Sequence, residues 1–375
     1  MDVLLQKKEV QILLSAFPNS EETIKFVGGC VRDSLMNLPI HDYDLATSYT
    51  PDEIVSYAES KGLVAIRTGN PHDTIMVLVN GFPFEITSLC ADEDPLDCEE
   101  KFSTIEVGTK DWVADAKRRD LTINAIYMNE KGEIFDPCGG LPDLKNGVVQ
   151  FNGDPRQRIK VDLRMWRYFR FYALFAKQRP SENTLKAIKE YKCELKEISN
   201  ILIRQEFLKM LKIGPLLKAV ELMHETGVIQ LILQHNNVSE KFKSLIRLED
   251  ELKLVSHHLA RFYALIDGDF KKLPKLMKLY KFSLKDTKFL KALHRNISEE
   301  HDVRLRLHFQ GKDITLAWFM LTSNDKSLLK YIQEWEPKTF YLTGKDLIEE
   351  GIKPGKELGK ELRRREEEWI LEFPL

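Results

Sequence analysis

The sequence predicts an α+β protein, with strands and helices mixed over residues 1–140 and helices alone from there to the C terminus. Two observations predict it. Up to Gly140, short β-branched and aromatic runs bounded by turn signals alternate with helical patterns. From Pro155 onward the strand signals fade, and glycine and proline serve as helix punctuation, at Gly214-Pro215, Gly227, Gly268, Gly311, Gly344, Gly351 and Gly355. At 375 residues the chain is long enough for two or more domains with cores of their own.

In chain order, a helix over 2–16 leads through a turn at Pro18-Asn19-Ser20 to a strand at Ile24–Val27. A short helix near 30–36 and a strand through Asp42-Tyr43-Asp44 follow. Thr50-Pro51-Asp52-Glu53 starts the next helix: threonine caps it, proline occupies the first turn and Glu53 closes a capping box. Strands are expected at 63–67, 74–79 and 83–89, the last two joined by Asn80-Gly81, a strong hairpin signal. An acidic loop spans 91–100, a helix 111–119 and a strand 123–128, with a turn at 130–133.

Composition excludes several classes. Apolar residues make up 43% and charged residues 30%, a soluble globular balance, and no run of 18 apolar residues suggests a membrane span. The first residues lack the layout of a secretory or organellar leader, so a cytoplasmic location is expected, or an organelle matrix if a leader was removed. Five cysteines (30, 90, 98, 138 and 193) form no Cys-x-x-Cys pair, which argues against a zinc site or a disulfide framework. His257-His258 and His301-Asp302 read as packed or solvated histidines. The net charge of −2 makes the chain no polycation, yet residues 156–177 carry five arginines and two lysines against Asp162 alone. Such a local basic face can bind nucleic acid.

The chemistry concentrates in residues 26–47. A strand runs into Gly28-Gly29, Arg32 follows, and Asp42 and Asp44 stand one residue apart. On a strand these two carboxylates share a face while Tyr43 takes the other. They repel each other unless a cation lies between them, and Mg²⁺ with a nucleoside triphosphate is the obvious one. The glycines let backbone amides approach phosphate oxygens, and Arg32 adds fixed charge. Glu85 becomes a third carboxylate if its strand lies beside that of Asp44. Arg118, Arg119 and Asp120 stand where a helix gives way to a strand, suited to a phosphate or a sugar hydroxyl. Arg164, Arg167 and Arg170, at i, i+3 and i+6, line one helical face with no acid to pair with on it, which favours an anionic partner or a base edge.

Taken together, these motifs resemble the class II tRNA nucleotidyltransferases, which add CCA to tRNA 3′ ends without a nucleic-acid template. The resemblance rests on Gly28-Gly29 with Arg32-Asp33, Asp42 with Asp44, Arg118-Arg119-Asp120 with Asn124, Asp136 with Asp143, Arg158, the three-arginine helix, and a tail with Gly344, Gly351, Gly355 and Gly359. Bacterial poly(A) polymerases share the head motifs but not the tail. The resemblance implies a polymerase-β-like nucleotidyltransferase head (1–140), then an all-helical neck (141–212), body (213–305) and tRNA-binding tail (306–375). It also implies Mg²⁺ on Asp42 and Asp44, phosphate contacts from Gly29, Arg32 and Arg119, base reading by Arg164, Arg167 and Arg170, and CTP, ATP and tRNA as substrates. Gly28, Asp120, Asn124 and Asp162 join the expected nucleotide-binding set, and Glu85 the catalytic one.

The chain also departs from that pattern. The base-reading motif, Glu-Asp-x-x-Arg in the family, is here Lys160-Val161-Asp162-Leu163-Arg164, one residue short. Asp162 and Arg164 are two apart, about 200° round a helix, and cannot share a face. An arginine of the family is missing after Ser88-Leu89, and the loop that follows is acidic rather than basic. These departures leave open an enzyme that adds only CC or only A, a poly(A) polymerase, and a tRNA-binding relative without catalysis.

Overall fold

The computed structural model describes residues 2–68, 74–89, 110–160, 163–214, 216–234, 238–255, 257–269, 271–297, 302–323 and 325–374. The chain divides into two compact units, Met1–Glu197 and Ile198–Leu375. Asp162 and the acidic 91–100 loop lie outside the described residues.

The first unit is built on one seven-stranded sheet. Its strands are β1 (Ile24–Val27), β2 (Asp44–Thr47), β3 (Val64–Arg67), β4 (Thr74–Val79), β5 (Phe82–Ser88), β6 (Tyr127–Met128) and β7 (Ile134–Phe135), in the order β3-β4-β5-β2-β1-β6-β7. All neighbours are antiparallel except β2 and β5, which run parallel with Asp44 opposite Glu85. The β4–β5 hairpin turns at Asn80-Gly81, both with positive φ (53° and 80°), and pairs Val79 with Phe82. That is the two-residue turn whose twist matches the strands.

Helices α1 (Asp2–Leu5) and α2 (Lys8–Ser15) replace the single helix expected over 2–16, with α3 (Ser20–Thr23) after them. The break falls at Gln6-Lys7, and Lys7, extended at φ −68° and ψ 128°, starts α2; its ammonium lies 3.5 Å from the centre of the Phe82 ring. Next come α4 (Gly29–Leu35) and α5 (Pro51–Ser60). In α5 the reciprocal Thr50–Glu53 capping box forms as the sequence predicts. Helix α6 (Trp112–Lys117) starts from Asp111, whose carboxylate accepts from the amides of Val113 and Ala114.

The strand expected over 123–128 is shorter than predicted. Thr122–Asn124 form a 3₁₀ turn and only Tyr127-Met128 pair with β1. The Asn124 side chain is drawn to Asp120 and Arg32, which holds the backbone out of the ladder. Helix α7 (Gly140–Asn146) packs on this turn so closely that a Cβ at Gly140 would sit 2.0 Å from the Thr122 carbonyl oxygen. Only glycine fits there. Helices α8 (Pro155–Ile159), α9 (Arg164–Phe175) and α10 (Glu182–Tyr191) complete the unit.

The second unit is helical throughout its described residues, from Asn200–Leu211 to Lys356–Leu371. A buried ion pair lies inside it: Arg261 and Glu249, 1% and 2% exposed, meet at 2.7 Å. The Arg261 guanidinium also donates to the carbonyls of Leu211 and Ile213 at the end of helix Asn200–Leu211. In the last helix, Arg363, Arg364 and Arg365 are paired with Glu367, Glu361, Glu368 and Glu350. No described helix is long and apolar enough to cross a membrane.

Candidate active site

The site begins where β1 ends. Gly28 adopts φ 73° and ψ −127°, a conformation open to glycine, and leads directly into α4. The Arg119 guanidinium comes up to this turn: a Cβ on Gly28 would stand 3.9 Å from Arg119 Nη1. Helix α4 is tied to the next strand through Cys30, whose thiol donates to the Asp44 carbonyl at 3.4 Å. Burial, then the Asp44 charge, pushes that thiol up to about 12, so it is not a nucleophile.

Strand β2 starts at Asp44, with Asp42 just before it. Tyr43 between them is 5% exposed and packs edge-on to Phe82 and Phe84, while Asp42 is exposed and Asp44 half-buried. The parallel pairing with β5 continues back to Tyr43, whose carbonyl accepts from the Glu85 amide at 3.0 Å. Glu85 therefore stands across from Asp44 on the adjacent strand, with Asp42 just ahead of that strand.

Their mutual repulsion is visible on Asp44. Its carboxyl is raised to about 6 by burial first, then by the Glu85 charge, with a smaller push from Asp42; Arg119 and Arg167 pull the other way. A site with this surplus of negative charge and only hard oxygen donors fits Mg²⁺. Among the described residues no three His, Cys, Asp or Glu side chains close round a metal position by themselves. Mg²⁺ sites on phosphate substrates need fewer, because one or two carboxylates share the ion with phosphate oxygens and water.

Arg119 is held in place by a buried anchor that sequence reasoning missed. Asp115, 1% exposed, accepts from Arg118 Nε (2.8 Å), Arg119 Nη2 (3.0 Å) and the Tyr127 hydroxyl (2.5 Å). Burial alone would raise its carboxyl, but Arg119, then Arg118, then the Tyr127 hydroxyl outweigh burial and hold it below the usual range. The signal was available, because Asp115 stands three and four residues before the two arginines, the spacing of helical ion pairs.

The three-arginine face of α9 is also not without an acid. Arg167 Nε donates to Asp120 Oδ2 at 2.7 Å, across 47 residues of chain. Asp120 Oδ1 accepts from Asn124 Nδ2 at 3.1 Å, and Asn124 Oδ1 accepts from Arg32 Nη1 at 2.5 Å. Arg164 Nη2 donates to the Arg118 carbonyl at 2.8 Å, and the Arg170 guanidinium lies 4.4 Å from the Phe171 ring centre. The expected residues Gly28, Gly29, Arg32, Asp42, Asp44, Glu85, Arg119, Asp120, Asn124, Arg164, Arg167 and Arg170 all belong to the first unit.

With this arrangement established, comparison with known proteins identifies the family. The poly A polymerase head domain family matches residues 24–150, and the family described as the probable RNA and SrmB-binding site of polymerase A matches 179–237. The mouse mitochondrial CCA tRNA nucleotidyltransferase 1 is 31% identical over 95% of this chain and 85% of its own length. The chain belongs to the CCA-adding tRNA nucleotidyltransferases. The CCA-adding enzyme of Ligilactobacillus salivarius is 32% identical over 92% of this chain and 87% of its own. The fold agrees. The Bacillus stearothermophilus CCA-adding enzyme in complex with CTP superposes with a TM-score of 0.71 at 24% identity, covering 94% of this chain and 91% of that one. The Thermotoga maritima CCA-adding enzyme complexed with tRNA gives 0.66 at 20% identity, covering 95% and 91%. The polymerase-β-like head followed by helices, predicted from the resemblance, is the fold of these enzymes.

Proposed function

We propose that this chain adds C, C and A to the 3′ end of tRNA, taking the nucleotides from CTP and ATP and releasing pyrophosphate. The observation that carries the reading is the carboxylate face of Asp42, Asp44 and Glu85 beside the Gly28-Gly29 turn and Arg119. Relatives that bear the names of CCA-adding enzymes, matched over 85% and 87% of their own length, support it.

In this reading the tRNA 3′ oxygen forms a bond to the α-phosphorus, the bond from that phosphorus to the β-phosphate bridge breaks, and the proton of the 3′ hydroxyl is taken up by solvent or a carboxylate of the site. Asp42 and Asp44 would hold Mg²⁺, which would supply charge neutralisation at the reacting phosphate. Arg119, fixed by Asp115, and the backbone amides after Gly28 and Gly29 bind the phosphates. Asp120 faces the ribose, and Arg164, Arg167 and Arg170 face the base. Residues 1–140 serve as head, 141–212 as neck, 213–305 as body and 306–375 as a tail that grips tRNA, in the cytoplasm or an organelle matrix.

The test is one incubation of tRNA lacking CCA with Mg²⁺ and CTP, with and without ATP, read at nucleotide resolution. Three additions are expected. Two or one would replace the proposal with a partial enzyme, the outcome that the shortened Lys160–Arg164 motif favours; none would sink it. Asp42→Ala and Asp44→Ala should each abolish addition, and activity in both would overturn the metal assignment.

A further inference from the structure

Arg119 follows directly on the C-terminal end of α6, and Asp115 holds only its side chain. The backbone there has supports of its own. The last carbonyls of a helix find no partner within the helix. At the end of α6, side chains from residues 152–164 take them. Asn152 Nδ2 donates to the Ala116 carbonyl at 2.6 Å. Arg158 Nη2 donates to the Lys117 carbonyl at 2.8 Å, and Arg164 Nη2 takes the Arg118 carbonyl. Three successive carbonyls, the last of them immediately before Arg119, are thus bound from outside the helix. Two of the three donors are guanidiniums, which also suit the negative end of the helix dipole.

Asn152 and Arg158 also hold each other. Arg158 Nε donates to the Asn152 carbonyl at 2.6 Å, and the two residues are only 7% and 8% exposed. The grip continues past Arg119. The Asn152 backbone amide donates to the Asp120 carbonyl at 3.0 Å, and Leu121 pairs with Phe151 in an isolated antiparallel bridge. The chain is therefore fastened on both sides of Arg119, at 116–118 and at 120–121, by one short passage that ends in Arg158. Its polarity is fixed as well. A carbonyl oxygen only accepts, so Asn152 must turn its NH₂ toward α6. Neither Asn152 nor Arg158 is among the residues within 4 Å of a Cβ placed on Gly28 or Gly29, whereas Arg119 is.

We propose that Asn152 and Arg158 are positioning residues for phosphate binding: they lock the backbone at the end of α6 so that the Arg119 guanidinium stays at the Gly28-Gly29 turn. The inference rests on the reading of Arg119 as a phosphate ligand and adds two residues that act through it. Small displacements of a binding group are costly, since about 1 Å of misplacement can cost a hundredfold.

The test measures binding of inorganic tripolyphosphate to the full-length chain in Mg²⁺, below the melting temperature of every variant. Asn152→Asp keeps the shape but turns an acceptor toward the α6 carbonyls. Arg158→Lys keeps the charge but replaces two separate donor nitrogens with one. Each should weaken tripolyphosphate binding about tenfold, as expected for a binding group displaced by a fraction of an ångström. Arg119→Lys supplies the reference background. Because Asn152 and Arg158 act through Arg119, the same two substitutions should cost less than about twofold when Arg119 is already lysine. A role confined to holding the fold together would lower the melting temperature and leave the losses additive. Affinity within about twofold of the parent in both variants overturns the proposal, and so do losses that add to that of Arg119→Lys. Should one variant fail to fold, the other carries the same comparison. The readout is equilibrium binding, so a parent chain that binds tripolyphosphate but extends no tRNA defeats the functional reading and leaves this one intact. A parent that extends tRNA but binds no tripolyphosphate defeats this one alone, and a parent that does neither defeats both.

Discussion

Asp115 offers the sharpest quantitative test of the site's construction. Replacing it with alanine leaves two guanidiniums and one phenol facing a position with no acceptor. Breaking a buried ion pair by removing one partner costs about 3–5 kcal/mol. The discount here is modest, because Arg118 and Arg119 side chains are 22% and 24% exposed and can turn toward water, whereas the Asp115 side chain is 2% exposed. The expected loss is therefore ~3 kcal/mol, and at ~2–4 °C per kcal/mol for a unit of this size the melting temperature of residues 1–197 should fall by ~6–12 °C. Asp115→Asn keeps the shape and some of the hydrogen bonding but not the charge, and should fall between parent and Asp115→Ala. The pH dependence gives a second handle. A carboxyl held below its unfolded value contributes stability that is fully present above about pH 4 and is lost as pH falls through the folded value. The gap between parent and Asp115→Asn should thus narrow on acidification. Differential scanning calorimetry across pH 3–8 is the assay. If both variants melt within a degree or two of the parent at pH 7, Asp115 is not the anchor of Arg119.

Three further predictions concern other residues. Asp44 behaves in the opposite sense to Asp115: its carboxyl, raised from 3.8 to about 6, costs stability that grows as pH climbs through that range. Without divalent cations, Asp44→Asn should be more stable than the parent at pH 7 by up to ~3 kcal/mol, the advantage vanishing near pH 4, and excess Mg²⁺ should reverse the order; urea midpoints that ignore both pH and Mg²⁺ would count against the carboxylate cluster. Gly140→Ala, with its 2.0 Å approach to the Thr122 carbonyl, should destabilise by at least ~1–3 kcal/mol, whereas Gly359→Ala, in a helix with open space around it, should be neutral or gain up to ~1 kcal/mol; equal melting temperatures would remove the packing argument. Arg164→Ala should blur the choice between C and A more than it slows addition, checked by single-turnover rates with each nucleotide, and unchanged selectivity would take Arg164 out of base reading.

The parts of this site that sequence could disclose are the local ones. Gly28-Gly29, Asp42 and Asp44 lie within one short passage of chain, so local sequence was enough to group them, although Asp42 falls just ahead of the strand that starts at Asp44. The Thr50 capping box and the Asn80-Gly81 hairpin were legible for the same reason, since their chemistry closes within four residues. Glu85 was readable only as a condition, because its place opposite Asp44 depends on a parallel pairing between segments 41 residues apart. Arg32 and Arg167 were identified as cations in the right region, but their partners Asn124 and Asp120 come from another element, and spacing within α9 says nothing about an acid 47 residues away. The strand over 123–128 was predicted too long for a related cause. Asn124 is committed sideways to Arg32 and Asp120, and that tertiary demand overrides the apolar run around it.

The parallel pairing of β2 with β5 bears on how this sequence can vary. Glu85 lies four residues beyond a two-residue turn, and side chains on β5 alternate between a buried and an open face. One residue inserted at Asn80-Gly81 must be taken up by a wider turn or absorbed by one arm of the hairpin. If β5 slips, Phe84 or Ile86 comes to stand across from Asp44 and Glu85 turns to the opposite face. If β4 slips instead, the inward set Ile75, Val77 and Val79 is driven outward. A turn at the far end of the hairpin therefore bears on the register of the carboxylates whenever an inserted residue is not held within the turn. Insertions among homologues should avoid residues 80–81 even though both are exposed and touch nothing in the site.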